Sequence, residues 1–321
     1  MNCSRYLFVI AVAAGFSNGA WAQNYPSKPV RMVVPYPPGG GTDIIARPLA
    51  QRLTEGLGQQ VIVDNRAGAS GNLGMESVAK TPPDGYTIVL ALNAQWAVNP
   101  SLYQKLPYDP VRDFAPITLL GAAPYLLVVH PTLPAKSIRE FIALAKSKPN
   151  ELRFSSSGNG SGAHLAAAML DSMTGTKTTH IPYKGAGQAM PDLIAGQVQF
   201  SYVTYTAAGP FVRTGRLRAL GVTSARRSAA LPDLPAISEV VPGYDAQVWY
   251  GIAAPAGTPS DIITRLNGEA KRALNHPDMG QRLITEAFEP IGSTPEYLGN
   301  YIKSEIVRWG AIVKASGAQV D

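Results

Sequence analysis

The segment VRMVVPYPPGGGTDIIARPLAQRL, residues 30–53, places a β-branched run, a turn rich in proline and glycine, and a helical repeat in immediate succession. Residues 30–36 read as a strand, because Val, Met and Tyr fit a pleated surface and Pro35 closes the run. Residues 42–57 read as a helix, with Ile45, Leu49 and Leu53 recurring at helical spacing. Pro48 stands inside it and removes one backbone hydrogen bond, so a kink is expected there. Between them, Gly39, Gly40 and Gly41 leave backbone N–H groups unshielded at the start of a helix, where the peptide dipoles favour an anion.

The same alternation continues along the chain. Strands are expected at 60–65, 86–92, 115–121, 125–130, 152–157, 180–183, 198–203 and 217–223, with helices between many of them. This predicts an α/β fold of mostly parallel sheets flanked by helices. Ser137 and Glu140 have the spacing of a capping box, and Thr258-Pro259 and Thr294-Pro295 each read as a cap before a helix-opening proline. No repeat of 20 to 50 residues is present, which excludes a solenoid.

The chain has 321 residues, enough for two domains of ordinary size. Its 31 glycines and 27 prolines exceed average usage but stay below the low-complexity range, so they mark sharp turns in a globular chain. The net charge of +6 is scattered rather than gathered into a stripe with aromatic platforms, which argues against nucleic acid as a partner. Residues 1–22 carry Arg5, an apolar run from Leu7 to Phe16 and the triplet Ala20-Trp21-Ala22, the order of a secretory signal peptide. Export across a membrane is therefore expected. The one cysteine, Cys3, falls within that leader, so neither a disulfide nor a thiolate site is expected after it.

In open α/β sheets ligands bind beyond the carboxyl ends of strands. Two such places stand out. Tyr36, Gly39, Gly40, Gly41, Thr42 and Asp43 follow the first strand, and Ser157, Asn159, Gly160, Ser161 and His164 follow residues 152–156. Each group is either a tight strand-to-helix connection or one wall of a site that holds a carboxylate without a cationic side chain. Neither turn fits the dinucleotide fingerprint, the phosphate loop or the nucleophile elbow. The four histidines lack metal-ligand spacing. No catalytic residue, metal or cofactor is expected.

Seven blocks of sequence carry a wider pattern. They include VDNRAGASGNLGMESVAKTPPDGYTIVLAL (63–92), FSSSGNGSGAHLAAAML (154–170), IPYKGAGQAMPDLIAGQV (181–198), GRLRALGVTSARRSAALPDLPAISEV (215–240) and GIAAPAGTPSDIITRLN (251–267), along with the opening segment. In order and spacing the chain resembles the Bug family of periplasmic solute-binding proteins, associated with tripartite tricarboxylate transporters. The resemblance implies a two-domain periplasmic binding protein fold of type II. The first domain would be discontinuous, 23–122 plus 246–321, and the second would be 123–245. It implies a monomer that performs no chemistry, captures a small carboxylate between its domains, and hands it to membrane permease subunits or presents it to a sensor protein. The first turn would supply one wall and Ser157 to His164 the other, with Asn93 and Ala94 and then Thr204 and Tyr205 completing the cleft.

The chain departs from the family where Val203-Thr204 replaces a common Asp-Asn. Losing that carboxylate removes a partner for a ligand amine, which disfavours amino acids and makes the wall more apolar. Tyr36, Trp96 and Trp249 are then either core rings or part of a cleft open to an aromatic acid.

Overall fold

The computed structural model describes residues 25–39, 41–183, 186–285 and 287–318. The leader 1–22 and Gly40 lie outside these residues. The first half of the chain gives β1 (Val30–Val34), α1 (Gly41–Leu57), β2 (Val61–Asn65), α2 (Asn72–Ala79), β3 (Thr87–Leu92), α3 (Asn99–Leu102), β4 (Phe114–Ala123), β5 (Tyr125–Val129), α4 (Ile138–Ser147) and β6 (Arg153–Ser156). The second half gives α5 (Gly162–Thr174), β7 (Thr179–Pro182), α6 (Ala186–Ile194), β8 (Phe200–Thr204), α7 (Tyr205–Arg213), β9 (Arg218–Val222), β10 (Val248–Pro255), α8 (Ser260–Leu274), α9 (Pro277–Thr285), β11 (Glu289–Pro290) and α10 (Pro295–Ser316).

The strands form two sheets, ordered β11-β4-β10-β3-β1-β2 and β7-β6-β8-β5-β9. β1 pairs in parallel with β2 and β3, as β6 does with β7 and β8. Both sheets are nonetheless mixed, because β10 runs antiparallel to β3 and β4, and β5 runs antiparallel to β8 and β9. The reason is topological. β4 passes straight into β5 through Pro124, and β10 brings the chain back, so β5 and β10 each enter a sheet against the direction of its βα units. This is an α/β fold of two lobes, with sheet one drawn from residues 30–123 and 248–290 and sheet two from 125–222.

Thr223 ties the two crossings together. Its hydroxyl accepts from the Tyr125 amide at 2.8 Å, its own amide donates to the Tyr125 carbonyl, and its carbonyl accepts from the Ala246 amide, both at 2.9 Å.

β1 is buried on both faces, as a central parallel strand must be. Val30, Met32 and Val34 pack toward α1 and α8, and Val33 packs on the opposite side with Trp96 and Trp309. α1 runs through Pro48 without ending. The largest apolar cluster joins residues of both sheets, from Val33 and Val89 to Leu127 and Phe200, through α10, which packs on β4 and on α5.

Candidate functional site

The first turn is held by a carboxylate rather than by apolar packing. Asp43, in the first turn of α1 and buried, accepts from the Gly39 amide at 2.9 Å, from Arg47 Nε at 2.7 Å and from Asn65 Nδ2 at 3.1 Å. Burial alone pushes its carboxyl up, but these donors outweigh burial and hold it below the usual carboxylate range. Asn65 also donates to the Tyr36 carbonyl at 3.1 Å. Asp43 thus braces the turn through its carboxylate. Thr42 is buried beside it, whereas Gly39 and Gly41 are exposed, and a Cβ on either would meet nothing within 4 Å.

Tyr36 opens the turn, and its hydroxyl accepts from Gln95 Nε2 at 2.8 Å. Burial pushes its phenol up to about 12, only partly opposed by that bond. Gln95 sits in a wide helical turn, Ala94–Val98, and is itself fully buried; it also donates to the Ser70 carbonyl at 2.6 Å. The sequence reading stopped one residue short, at Asn93 and Ala94. An amide inside the apolar run Ala94 to Val98 needs buried partners, and that was the available signal. Asn93 donates to the Gln247 carbonyl, just before the returning strand β10, at 3.3 Å.

The second turn is built in a similar way. Ser161 caps α5 by accepting from the His164 amide, and His164 Nδ1 accepts from the Gly160 amide at 3.1 Å. The His164 ring stacks on His180 at 3.9 Å, and the Ser156 hydroxyl bonds His180 Nε2 at 2.5 Å. Burial lowers the pKa of both rings; His180, next to His164, falls to about 4. His164 and Ser161 therefore shape the turn, and His164 opens onto a separate hollow beside Asp171 and Ser316. Gly160, at φ +69°, packs against Leu102 of α3, so this turn touches the other lobe. Asn159 is exposed.

A cavity of about 200 Å³ lies in lobe two where the carboxyl ends of β6 and β8 meet the starts of α5 and α7. Ser157 and Thr204 line it, as do Gly162 and Ala163 at the start of α5. The opposite wall is Ala189, Met190 and Leu193 of α6, with Val203 and Ala207. Tyr125 stands at one side, and its hydroxyl lies so close to Gly162 that a methyl group there would collide with it. That hydroxyl has no hydrogen-bond partner among the described residues, and burial, reinforced by nearby Tyr36, pushes its pKa upward. Tyr36 and Tyr125 pack on one apolar cluster, so the cavity adjoins the first turn. Tyr205, the first residue of α7, packs against the cluster of Leu126, Val128 and Ala208 and does not line the cavity.

Trp96 and Trp249 belong to the core. Trp96 donates to the Ala91 carbonyl and meets Phe114 edge-on, while Trp249 donates to Glu305 at 2.9 Å. Larger hollows beside Tyr25 and beside Phe288 lie away from both turns. Among the described residues there is no cluster of three metal-ligating side chains, and no helix is long and apolar enough to cross a membrane.

Two α/β lobes joined by paired crossings, with helix starts converging beside the junction, define the class of two-lobed periplasmic binding proteins. Within that class, the chain belongs to the tripartite tricarboxylate transporter receptor family, whose model, described as "Tripartite tricarboxylate transporter family receptor", matches residues 45–318. The chain is 38% identical to protein BugT of Bordetella pertussis over the full length of both. It is 37% identical to Rpa4515 of R. palustris, solved with adipate, at a TM-score of 0.82 over 92% of this chain and 100% of that one. MatC of Rhodopseudomonas palustris, solved with bound malate, is 32% identical at a TM-score of 0.77, covering 90% of this chain and 100% of that one. The family is one of solute-binding receptors rather than enzymes.

Proposed function

We propose that this protein is an extracytoplasmic receptor that captures a small carboxylate between its lobes and delivers it to the permease of a tripartite tricarboxylate transporter. Lobe one comprises 23–122 with 246–321, and lobe two comprises 123–245. The leader 1–22 directs export, and the receptor acts as a monomer in the periplasm. The observation that carries this reading is the cavity between helix starts. The first amides of α5 and α7 have no intrahelical acceptor, and unpaired hydroxyls stand beside them. Such donors hold a carboxylate oxygen without any cation. Relatives solved with adipate and with malate support the ligand class.

Binding works by differential affinity: a ligand that touches both turns favours the closed arrangement of the lobes over the open one. Thermal unfolding against aliphatic dicarboxylates, hydroxy acids, aromatic acids and amino acids tests the reading. At one hundred times its dissociation constant, a true ligand adds about 2.7 kcal/mol and raises the melting temperature by several degrees. A panel in which no acid raises it would remove the proposal. Mass spectrometry of acid that co-purifies from the native host identifies the ligand, and loss of growth on that acid after gene deletion tests delivery.

A further inference from the structure

Ser155, on β6, is 1% exposed, and its hydroxyl has no hydrogen-bond partner among the described residues. It lines the lobe-two cavity. The neighbouring serines differ in this respect, although Tyr202, also on the cavity wall, has a buried hydroxyl that is likewise unpaired among the described residues. The Ser201 hydroxyl donates to the Ser155 carbonyl at 2.7 Å, and the Ser156 hydroxyl is taken by the Gly158 carbonyl and His180. A buried polar group left unpaired is destabilising, so one that lines a cavity calls for a partner from outside the chain.

The surroundings of Ser155 say what kind of partner. The cavity wall formed by Ala189, Met190, Leu193 and Val203 is apolar, and among the described residues no ionised side chain lines the cavity. Leu193 is fully buried and Ala189 nearly so. A second carboxylate placed there would be desolvated with only uncharged hydroxyls to receive it, whereas an uncharged group would be matched by one of them. The converging helix starts and the Tyr125 hydroxyl lie beside Gly162, which gives the cavity a polar end for a single acid group. The volume of about 200 Å³ suits a compact body. A hollow of about 150 Å³ already holds benzene, and a rigid ring has no internal rotations to lose on entering.

Resting on the receptor reading above, we infer that the ligand is an aromatic monocarboxylate with an uncharged hydrogen-bonding substituent at the far end of its ring, and that Ser155 selects for that substituent. The acid group sits at the helix starts near Tyr125. The ring lies against Met190 and Leu193, and the far substituent pairs with the Ser155 hydroxyl. This sets the chain apart from the relatives solved with adipate and malate, while using the same two-lobed frame.

Calorimetric titration of the purified protein with benzoate, 4-hydroxybenzoate, adipate and malate tests this. 4-Hydroxybenzoate is expected to bind about tenfold more tightly than benzoate, the effect of one hydrogen bond to an otherwise unpaired buried group. Both are expected to bind more tightly than adipate or malate. Ser155→Ala changes little volume; it should erase the tenfold preference and leave benzoate affinity within about threefold, with a melting curve to confirm folding. If the preference persists in Ser155→Ala, or if adipate or malate binds more tightly than both aromatic acids, the inference is wrong and the receptor reading stands. If none of the four acids, nor any other in the wider panel, binds, the receptor reading itself fails.

Discussion

Asp43 and His164 share a logic. Each was readable from sequence as a polar residue in a glycine turn, and each proves to face its own turn. Asp43 accepts from an amide four residues back and from Asn65, which β2 brings alongside; His164 accepts from the Gly160 amide. The amide bonds are local, yet sequence alone does not say whether a side chain folds back or points outward. The stacked pair of His164 and His180 also makes the turn sensitive to acid. Both are neutral in the fold, with His180 lowered from 6.5 to about 4 by burial and by its neighbour. Below pH 6.5 the unfolded chain takes up protons that the folded chain refuses, so stability falls as the pH drops from about 6.5 toward 4. Replacing His180 with Phe keeps a ring against Phe154 and removes one titrating group. The fall in melting temperature between pH 6.5 and 4.5 should then be shallower than in the parent protein. Equal slopes would show that the pair does not contribute.

At the scale of elements, the strand-to-helix units were legible because their signals are local. Residues 30–57 form β1 and α1 nearly as their pattern implies, and Thr294 caps α10 by accepting from the Tyr297 amide. Ser137 caps α4 as expected, but Glu140 accepts from Lys136 rather than from the capping residue. The cap before α8 moved: its first residue is Ser260, and the Thr258 hydroxyl donates to the Pro255 carbonyl instead. β10 and α7 were not legible. β10 holds Gly251, Ala253 and Ala254 and has little β-branched character, yet all eight of its residues are buried between β3 and β4. α7 is short, with Gly209 and Pro210 inside it, so its composition reads as a loop. The contact between β5 and α5 yields a prediction. Gly162→Ala drives a methyl group into the Tyr125 hydroxyl and should cost about 1–3 kcal/mol of stability, the usual range for overpacking. It should also weaken carboxylate binding by shifting the start of α5. Urea unfolding and calorimetric titration check both effects, and an unchanged variant would show that the close approach is dispensable.

For the whole molecule, the two sheets were legible as α/β layers, but their mixed direction was not, because it depends on where the chain crosses between lobes. Ser155 was illegible for a similar reason. An unpaired hydroxyl is visible only once β6, β8 and α6 are assembled around it. The crossings have a further consequence through the shared apolar cluster. Residues of both sheets meet in it through α10, so neither lobe keeps its full core when the other unfolds. The protein should therefore melt in one cooperative step despite its two lobes, with calorimetric and van't Hoff enthalpies in agreement. Two resolved transitions would contradict this. A single step means that ligand held in lobe two protects the other lobe as well. Amide exchange deep in sheet one, at Val33 or Val89, should then slow when the acid binds some distance away, and a receptor emptied at its transporter would become easier to unfold everywhere at once.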